Sequence, residues 1–273
     1  MNATQPDKAA RFRALHQRAG TFVIANVWDG ASACVMAGLK FEALATSSSA
    51  CAATLGRLDG QITREEALAH ARLIVDACAL PVSADLEQGF GDSPQVVAET
   101  IRQAAAAGLV GGSIEDASGV AGAPIYDFGL ALERVVAAVE AARQLPFPFT
   151  LTARAENYLQ GRPDLDDTVR RLQAFERAGA DVLFAPGLPD LATVRAVCSA
   201  VRKPVNFMVG IRGRSFSVAE LAAGVRRISL STSLYRAAIT GLYAAGREVQ
   251  DSGSFGYLET IMSGSDLARF LQS

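Results

Sequence analysis

Two acidic residues, Asp85 and Glu87, follow a short apolar run and come directly before a glycine-rich turn at 89–91. Because side chains alternate along a β-strand, residues two apart point to the same side of the sheet. Two carboxylates aimed at one place repel each other unless a cation or a shared proton lies between them. The spacing therefore predicts a metal site at this point of the chain.

The composition is that of a globular enzyme-sized protein. The chain has 273 residues, of which 50% are hydrophobic and 20% charged, and its formal net charge is −2. A barrel of alternating strands and helices commonly uses about 250 residues as one domain, so we expect a single domain. The weak net charge indicates no nucleic acid partner. No apolar run reaches the roughly 18 residues of a membrane span, so we expect a cytoplasmic protein with no membrane partner, whose four scattered cysteines stay reduced.

Short apolar runs alternate with segments of helical periodicity along the whole chain. The predicted strands are 21–28, 41–48, 82–87, 111–115, 149–154, 181–185, 204–209 and 227–232. Alternating strands and helices predict a parallel sheet, and the repeated glycine stop before a strand favours closure. The predicted fold class is therefore α/β, a (β/α)8 TIM barrel. An open doubly wound sheet is the alternative, but no Gly-x-Gly-x-x-Gly follows the first strand.

The chain continues past the eighth predicted strand. The barrel is expected to cover about 20–245, including one more helix at 233–246, and a helical tail is expected over 246–273. The tail has an amphipathic end at 265–271 and no obvious role in a barrel. We expect it to pack on a partner subunit.

In a TIM barrel the catalytic groups lie at the carboxyl ends of the strands. The polar residues at or near these ends are Trp28, Ser47, Ser48, Ser49, Asp85, Glu87, Glu115, Arg154 and Asn206. Acids that converge from adjacent strands, without histidine or cysteine, favour a hard cation, so we predict Mg²⁺ with Mn²⁺ as a substitute. Helix caps or surface acids are the alternative interpretation.

Arg154 closes an apolar strand, and a guanidinium there must find an anion or carry a high cost of burial. A structural ion pair with Glu156 or Glu115 is the alternative, and both roles can hold together. Arg212 and Arg214 follow the seventh strand, where many barrels bind phosphate, although a turn with two solvated arginines is the favoured interpretation. A phosphate-binding aldolase or isomerase barrel is thus a further alternative.

The collected motifs resemble those of the isocitrate lyase and phosphoenolpyruvate mutase superfamily, over about 20–235. The segment 85–91 is similar to the family pattern Asp-x-(Asp or Glu)-x-Gly-(Tyr or Phe)-Gly. The pairs at 115–116 and 153–156 match the Glu-Asp and Ala-Arg-x-(Asp or Glu) of the fourth and fifth strands. The serine segment at 47–49 is followed, as in the family, by Leu-Gly and an aspartate, Asp59.

The resemblance implies a Mg²⁺-dependent enzyme that makes or breaks a bond next to a 2-oxo carboxylate. The implied metal-binding residues are Asp85, most directly, and Asp59, Glu87 and Glu115, largely through water. The implied substrate-binding residues are Trp28, Ser47, Ser48, Ser49, Asp85 and Arg154, with Arg154 facing the oxygen that becomes the enolate. Asn206, on the seventh predicted strand, is a further candidate for substrate binding. The resemblance also implies a homo-oligomer, a dimer or tetramer, that exchanges C-terminal helices.

The loop after the fourth strand, 117–127, departs from the family pattern. It lacks the Lys-Lys-Cys-Gly-His of the isocitrate and methylisocitrate lyases, and also the lysine and asparagine of the phosphonate-handling members. Tyr126 or Asp127 could supply a proton in place of the cysteine, which makes Arg154, Glu115 and Tyr126 the catalytic candidates.

The leading hypothesis is a Mg²⁺-dependent lyase that cleaves or forms a C–C bond beside a 2-oxo or 2-hydroxy carboxylate through an enolate. Decarboxylation of a 2-oxo acid such as oxaloacetate is the nearest alternative, because it needs no dedicated cysteine. An inactive 2-oxo acid binding protein is an alternative of a different class.

Overall fold

The computed structural model describes residues 3–272, which form eight parallel strands closed into a barrel in chain order. The strands are β1 (Phe22–Asn26), β2 (Leu44–Ala45), β3 (Val82–Asp85), β4 (Gly111–Glu115), β5 (Thr150–Arg154), β6 (Val182–Phe184), β7 (Val205–Met208) and β8 (Arg227–Ser229). The barrel closes where β8 pairs with β1. The predicted TIM barrel is confirmed, and each strand lies within its predicted range.

Helices cover the outside of the barrel and extend beyond it. Within residues 3–272 they are α1 (Gln5–Gln17), α2 (Gly30–Gly38), α3 (Ser48–Thr54), α4 (Arg64–Ala77), α5 (Pro94–Ala106), α6 (Phe128–Arg143), α7 (Leu165–Ala178), α8 (Leu191–Ala200), α9 (Val218–Leu221), α10 (Ser233–Ser252) and α11 (Gly264–Leu271), with a 3₁₀ turn at Gly256–Glu259. Local sequence explains their ends. Thr63 and Glu66 form a capping box at the start of α4, and Gly179 ends α7 in the left-handed region at φ 104°.

The second strand is shorter than predicted because the serine segment belongs to a helix. The Ser47 hydroxyl accepts a hydrogen bond from the backbone N–H of Ala50 and so caps α3. The chain therefore turns away from the sheet directly after Thr46, and the helix start of α3 stands at the rim of the barrel.

Helix α1 closes the amino end of the barrel. Phe12 is fully buried there, and the His16 ring packs edge-on against Phe12 and Phe22 with centroid separations of 4.8 and 5.0 Å. Edge-to-face packing of this kind suits aromatic rings in a core. A buried histidine thus forms part of the plug at the amino end of the barrel.

The C-terminal helices pack differently from the rest. Helix α10 has no buried residue over its 20 residues, whereas α11 lies against α2 of the same chain, where Phe270 sits over Gly38. Ser233–Ser252 includes the helix predicted at 233–246 and is longer than expected. No helix within residues 3–272 combines the length and apolar character needed to cross a membrane.

The His16 environment predicts a pH dependence of stability. Burial and the nearby Arg227 cation lower the pKa of His16 from 6.5 to about 3. Between these values the unfolded chain binds a proton and the folded protein does not, so stability falls as the pH decreases, by about 1.4 kcal/mol per pH unit. Chemical denaturation of His16→Gln between pH 7 and pH 4 is therefore expected to show a shallower loss than the parent.

The second histidine supplies a comparison for this measurement. Burial also lowers the pKa of His70, so His70→Gln is expected to lose the contribution of His70 and to keep that of His16. A His16→Gln variant that loses stability with pH as steeply as the parent would contradict the assignment of a neutral, buried imidazole.

Candidate active site

The carboxyl ends of the strands surround one cavity of about 500 Å³. The predicted site residues that line it are Ser47, Ser48, Ser49, Asp59, Asp85, Glu87, Glu115, Arg154 and Asn206. Trp28 and Tyr126 are not among its lining residues. Parallel strands thus bring together side chains that are far apart in the sequence, as their positions at strand ends require.

Arg154 is the centre of the polar cluster in this cavity. Its Nη1 lies 2.8 Å from Asp85 Oδ1, its Nη2 lies 2.9 Å from Glu115 Oε2, and its Nε lies 2.8 Å from Glu156 Oε1. The structural ion pair, one of the two interpretations of Arg154, is therefore present at the cavity wall. With every group ionised, one positive charge faces three negative charges, so the cluster retains an excess of negative charge.

Asp85 is held by further donors from neighbouring elements. The Ser48 hydroxyl donates to Asp85 Oδ2 at 3.2 Å, and the Ser113 hydroxyl donates to Asp85 Oδ1 at 3.3 Å. The Asp85 backbone N–H donates to Thr46 Oγ1 at 3.0 Å. These bonds orient the carboxylate toward the cavity and leave it near the negative charge of Glu87.

Glu87 is the least satisfied acid of the cluster. Its backbone is left-handed at φ 48°, two residues after the end of β3, and only 9% of the residue is exposed. Its Oε1 is buried without a hydrogen-bond partner among residues 3–272. Burial first, and then the Asp85 charge, raise the pKa of Glu87 to about 7. A buried carboxylate oxygen without a donor has the chemistry of a ligand that awaits a cation or its waters.

A second ion pair, between Asp116 and Arg171, supports the cluster through the backbone of Glu156. Asp116 accepts a bond from the Glu156 backbone N–H at 2.8 Å through one oxygen, and from Arg171 Nη1 at 3.0 Å through the other. Arg171 also donates to the carbonyl of Tyr126 at 3.0 Å and so fixes the end of the loop that follows β4. Arg171 was missed by the analysis of strand ends, although it occupies an apolar stripe of α7 where a buried residue is expected.

The serine segment at 47–49 forms the start of α3 and also lines the cavity. Ser47 Oγ is 3.1 Å from Thr232 Oγ1 as well as capping α3, while Ser48 contacts Asp85. The start of α3 therefore stands at the cavity wall with hydroxyls on both sides. A helix start and hydroxyl groups are suited to a substrate carboxylate.

Two predicted site residues lie elsewhere. The Tyr126 hydroxyl donates to Asp92 Oδ1 at 2.6 Å, and the Arg134 guanidinium stacks on the Tyr126 ring at 4.2 Å. Burial and this hydrogen bond raise the pKa of Tyr126 to about 12, which makes it a poor source of protons. The placement of Tyr126 as a proton donor in the cavity is therefore corrected, since cation–π packing turns the ring away.

Trp28 is not among the residues that line the cavity. Its ring packs edge-on against Tyr235 with a centroid separation of 5.4 Å, and its carbonyl lies 2.7 Å from Nε2 of His70. Tyr235 of α10 therefore supplies an aromatic partner for the ring, and the expected place of Trp28 at the border of the pocket stays a prediction. His70 is bonded to backbone and does not line the cavity.

The loop after β4 contributes little titratable chemistry to the cavity. Ala117 bridges to Ile125, and the lining residues from this loop are Ala117 and Gly119. Arg212 and Arg214 are exposed and do not line the cavity, and Arg214 donates to the carbonyl of Gly187 at 3.2 Å. The structure therefore gives no support to a phosphate site there.

The sequence matches the phosphoenolpyruvate phosphomutase family over residues 12–250. It is 31% identical to 2-methylisocitrate lyase of Escherichia coli K12 over 214 residues, covering 75% of this chain and 70% of that enzyme. It is 32% identical to oxaloacetate decarboxylase of Bradyrhizobium diazoefficiens over 213 residues, covering 75% and 72% of the two chains. A solved structure of a candidate lyase/mutase of Burkholderia cenocepacia J2315 is similar with a TM-score of 0.96 and 51% identity, covering 98% and 97% of the two chains.

The family match and these relatives identify the chain as an enzyme of the carbon–carbon lyase type. The chain belongs to the isocitrate lyase and phosphoenolpyruvate mutase superfamily, as its motifs predicted. The absence of the loop cysteine motif does not remove it from this family, because the match covers most of the barrel.

Arg134 fixes the conformation of the loop that follows β3. It is 1% exposed and donates to three backbone carbonyls of the loop after β3, those of Gln88, Gly91 and Asp92. Like Arg171, it lies within the buried stripe of its helix, here α6, which is the signal that could have identified it. One planar guanidinium therefore fixes the turn that begins at Glu87.

Removal of the Arg134 guanidinium is expected to lower the stability of the folded protein. Arg134→Met leaves three loop carbonyls without a donor, so the free energy of unfolding is expected to fall by roughly 2–4 kcal/mol. Arg134→Lys should recover only part of it, since an ammonium lacks the planar fork. Denaturant unfolding measures the change. Arg102→Met on α5 removes only an exposed ion pair and should stay within about 0.5 kcal/mol of the parent. Equal losses of stability in Arg134→Met and Arg102→Met would contradict the role of Arg134 in holding the loop.

Proposed function

We propose that this cavity binds Mg²⁺, or Mn²⁺ in its place, together with a small 2-oxo or 2-hydroxy carboxylic acid, and cleaves or forms the C–C bond next to the carboxylate-bearing carbon. The observation that carries the proposal is the excess of carboxylates, with the partnerless Oε1 of Glu87 buried among them. The names of the relatives support the same class of reaction.

The residues present fit a hydrated divalent cation. Asp85 would hold it most directly, with Asp59, Glu87 and Glu115 acting largely through its waters. No three His, Cys, Asp or Glu side chains within residues 3–272 are grouped closely enough to hold an ion by themselves. Mg²⁺ usually keeps several waters and uses one or two direct carboxylates, so the proposal does not require such a group. When bound, the cation would act as a Lewis acid on the oxo acid.

Arg154 can serve the substrate without leaving its partners. A guanidinium has five N–H donors, and three of those of Arg154 point at Asp85, Glu115 and Glu156. One hydrogen on each of Nη1 and Nη2 therefore stays available for a substrate oxygen. The three carboxylates hold the guanidinium in place before the substrate arrives, which is the arrangement that stabilises developing negative charge most effectively.

The start of α3 is proposed to receive the substrate carboxylate. Ser47, Ser48 and Ser49 line the cavity beside Asp85, and the first backbone N–H groups of a helix attract anions. Asn206 lines the deeper part of the cavity as a polar contact. The carboxylate and the oxo oxygen would then lie between α3 and Arg154.

Decarboxylation is a second candidate, and one observation favours it. Cleavage of a 2-hydroxy acid requires a base that takes the hydroxyl proton, whereas loss of CO₂ from a 3-carboxylated 2-oxo acid requires none. The loop after β4 contributes only Ala117 and Gly119 to the cavity wall, so it supplies no base, and the lining acids not paired with Arg154 are Asp59 and Glu87, which belong to the proposed metal site. Binding without turnover would instead support the inactive binding protein.

Turnover of a panel of 2-oxo and 2-hydroxy di- and tricarboxylic acids, with Mg²⁺ or with EDTA, tests the function. Metal-dependent release of CO₂ identifies a decarboxylase, and a second organic product identifies the other lyase. Mg²⁺ affinity measured by calorimetry is expected to fall at least about tenfold in Asp85→Asn, because the most direct carboxylate ligand is lost.

Asp76→Asn is the matched control, since Asp76 is an exposed aspartate on α4. It should bind Mg²⁺ and turn over as the parent does. Parent-like Mg²⁺ affinity in Asp85→Asn, with folding intact by circular dichroism, would show that the metal site is wrongly assigned.

We further propose that the barrel and its tail form one domain of a homo-oligomer, a dimer or tetramer. The large apolar residues exposed on α10 and the segment after it are Ile239, Leu242, Tyr243, Phe255, Leu258, Ile261 and Met262. Large apolar side chains exposed in such number along one segment are typical of an interface between proteins. Because α11 lies on α2 of its own chain, α10 and the turn after it are the proposed partner surface.

Charged substitutions on this surface are expected to lower the assembly state. Leu242→Glu combined with Ile261→Glu would bury two charges in the interface and shift the mass measured by light scattering toward the monomer. Leu73→Glu on α4, also an exposed leucine, should leave the mass unchanged. A monomeric parent, or a double variant of parental mass, would contradict the interface.

We also propose that the protein works in the cytoplasm. Its four cysteines, Cys34, Cys51, Cys78 and Cys198, are free thiols in the structure. Free thiols without disulfides are typical of a reducing compartment.

A further inference from the structure

The cavity continues below the carboxylate cluster into the interior of the barrel. The interior of most TIM barrels is filled by branched apolar side chains. Here polar residues also line the cavity, and of these Ser83, Asn206 and Arg227 lie in the first halves of β3, β7 and β8. Arg227 is the first residue of β8 and so lies toward the amino end of the barrel, away from the proposed metal site.

Arg227 is buried and is bonded on all three nitrogens. It is 5% exposed. Its Nε donates to Asn206 Oδ1 at 2.8 Å, its Nη2 donates to Thr152 Oγ1 at 3.0 Å, and its Nη1 lies 3.4 Å from His16 Nε2. An amide, a hydroxyl and an imidazole therefore surround the guanidinium.

The imidazole is neutral in this arrangement. His16 Nδ1 lies 2.8 Å from the carbonyl of Phe12, which accepts a hydrogen bond and cannot donate one. The proton is accordingly on Nδ1, and Nε2 offers a lone pair to Arg227. The low pKa of His16, about 3, agrees with this tautomer. None of the three side chains bonded to Arg227 carries a negative charge.

No carboxylate compensates this cation among residues 3–272. The ion pairs of the described chain include Arg154 and Arg171 in the neighbourhood of the cavity, but none involves Arg227. Burial alone lowers the pKa of Arg227 to about 9, with no acidic group opposing it. A buried charge without a counter-charge costs several kcal/mol. A bound anion would therefore offset the cost of burying the Arg227 charge.

Arg227 also has the free donors that an anion requires. Of the five N–H groups of a guanidinium, three are directed to Asn206, Thr152 and His16. Within residues 3–272, one hydrogen on each Nη is left without a protein acceptor. Because the side chain lines the cavity, a ligand that enters from the mouth of the barrel can reach it.

We propose that Arg227 anchors a binding site for one small monoanion, a carboxylate or a halide, at the floor of the cavity. The single positive charge and the surrounding neutral hydrogen-bond partners match one negative charge rather than a phosphate dianion. The site is separate from the serine segment at 47–49, which the proposed function assigns to the substrate carboxylate. It requires no bound metal.

Bromide and acetate are the probes for this site, used on the full-length protein in EDTA so that neither metal binding nor turnover contributes. A crystal soaked in sodium bromide is expected to show anomalous density within hydrogen-bond distance of the Arg227 Nη atoms. In solution, bromide should raise the melting temperature saturably, since a ligand that binds only the folded state stabilises it.

The variant Arg227→Gln should weaken bromide binding at least tenfold, whereas Arg226→Gln should bind as the parent does. Arg226 is the matched control because it is the adjacent arginine and bonds outside the cavity, to the carbonyl of Gly20. Displacement of bromide by acetate identifies a carboxylate site, and failure of acetate to compete identifies a halide site; both support the proposal.

Water alone beside Arg227 in the soaked parent crystal would overturn the proposal, and this readout does not depend on whether Arg227→Gln folds. The proposal would also be overturned if bromide raised the melting temperature without saturation and equally in the parent, Arg227→Gln and Arg226→Gln. Failure of this site leaves the metal-dependent function intact, because that function is tested by Mg²⁺ affinity and product formation.

Discussion

The contact on which the rest of the site depends is the guanidinium of Arg154 among three carboxylates. It joins β3, β4 and the end of β5 through Asp85, Glu115 and Glu156. Without Arg154, the buried carboxylates would repel one another. With Arg154 present, the negative charges of the three carboxylates still exceed its one positive charge. The same interaction thus holds the strand ends together and maintains a negative cavity wall that a divalent cation can neutralise.

Two further arginines keep this cluster in register without entering the cavity. Arg134 holds the carbonyls after Glu87, and Arg171 holds Asp116 and thereby the backbone of Glu156. Each arginine is itself buried, so its hydrogen bonds act in a surrounding of low polarity where they are strong. The positions of the acids are consequently determined by helices α6 and α7 as much as by the strands that carry them.

The part of the site that could be predicted follows from the periodicity of strands. Asp85, Glu115 and Arg154 are placed by strand alternation and by the polar ends of apolar runs, and the barrel brings such ends together. The directions of Trp28 and Tyr126 could not be predicted, because they depend on rings and cations supplied by distant segments.

The supporting arginines were missed for a related reason. An arginine within a helix is usually interpreted as exposed, and only its place in the apolar stripe indicates that Arg134 and Arg171 are buried. Arg227 belongs to a strand start, away from the ends where catalytic groups are sought. Its environment depends on Asn206, Thr152 and His16, which come from three other elements.

The electrostatics of the cavity are therefore polarised along the barrel axis. Carboxylates exceed cations at the carboxyl end, and an uncompensated guanidinium lies toward the amino end. A cation at the mouth and an anion at the floor would each remove a separate cost of burial, and each would favour the other by Coulomb attraction across a surrounding of low polarity. Since coupling between two ligands is reciprocal, an anion bound at Arg227 would strengthen metal binding at Asp85 to the same extent that the metal strengthens anion binding.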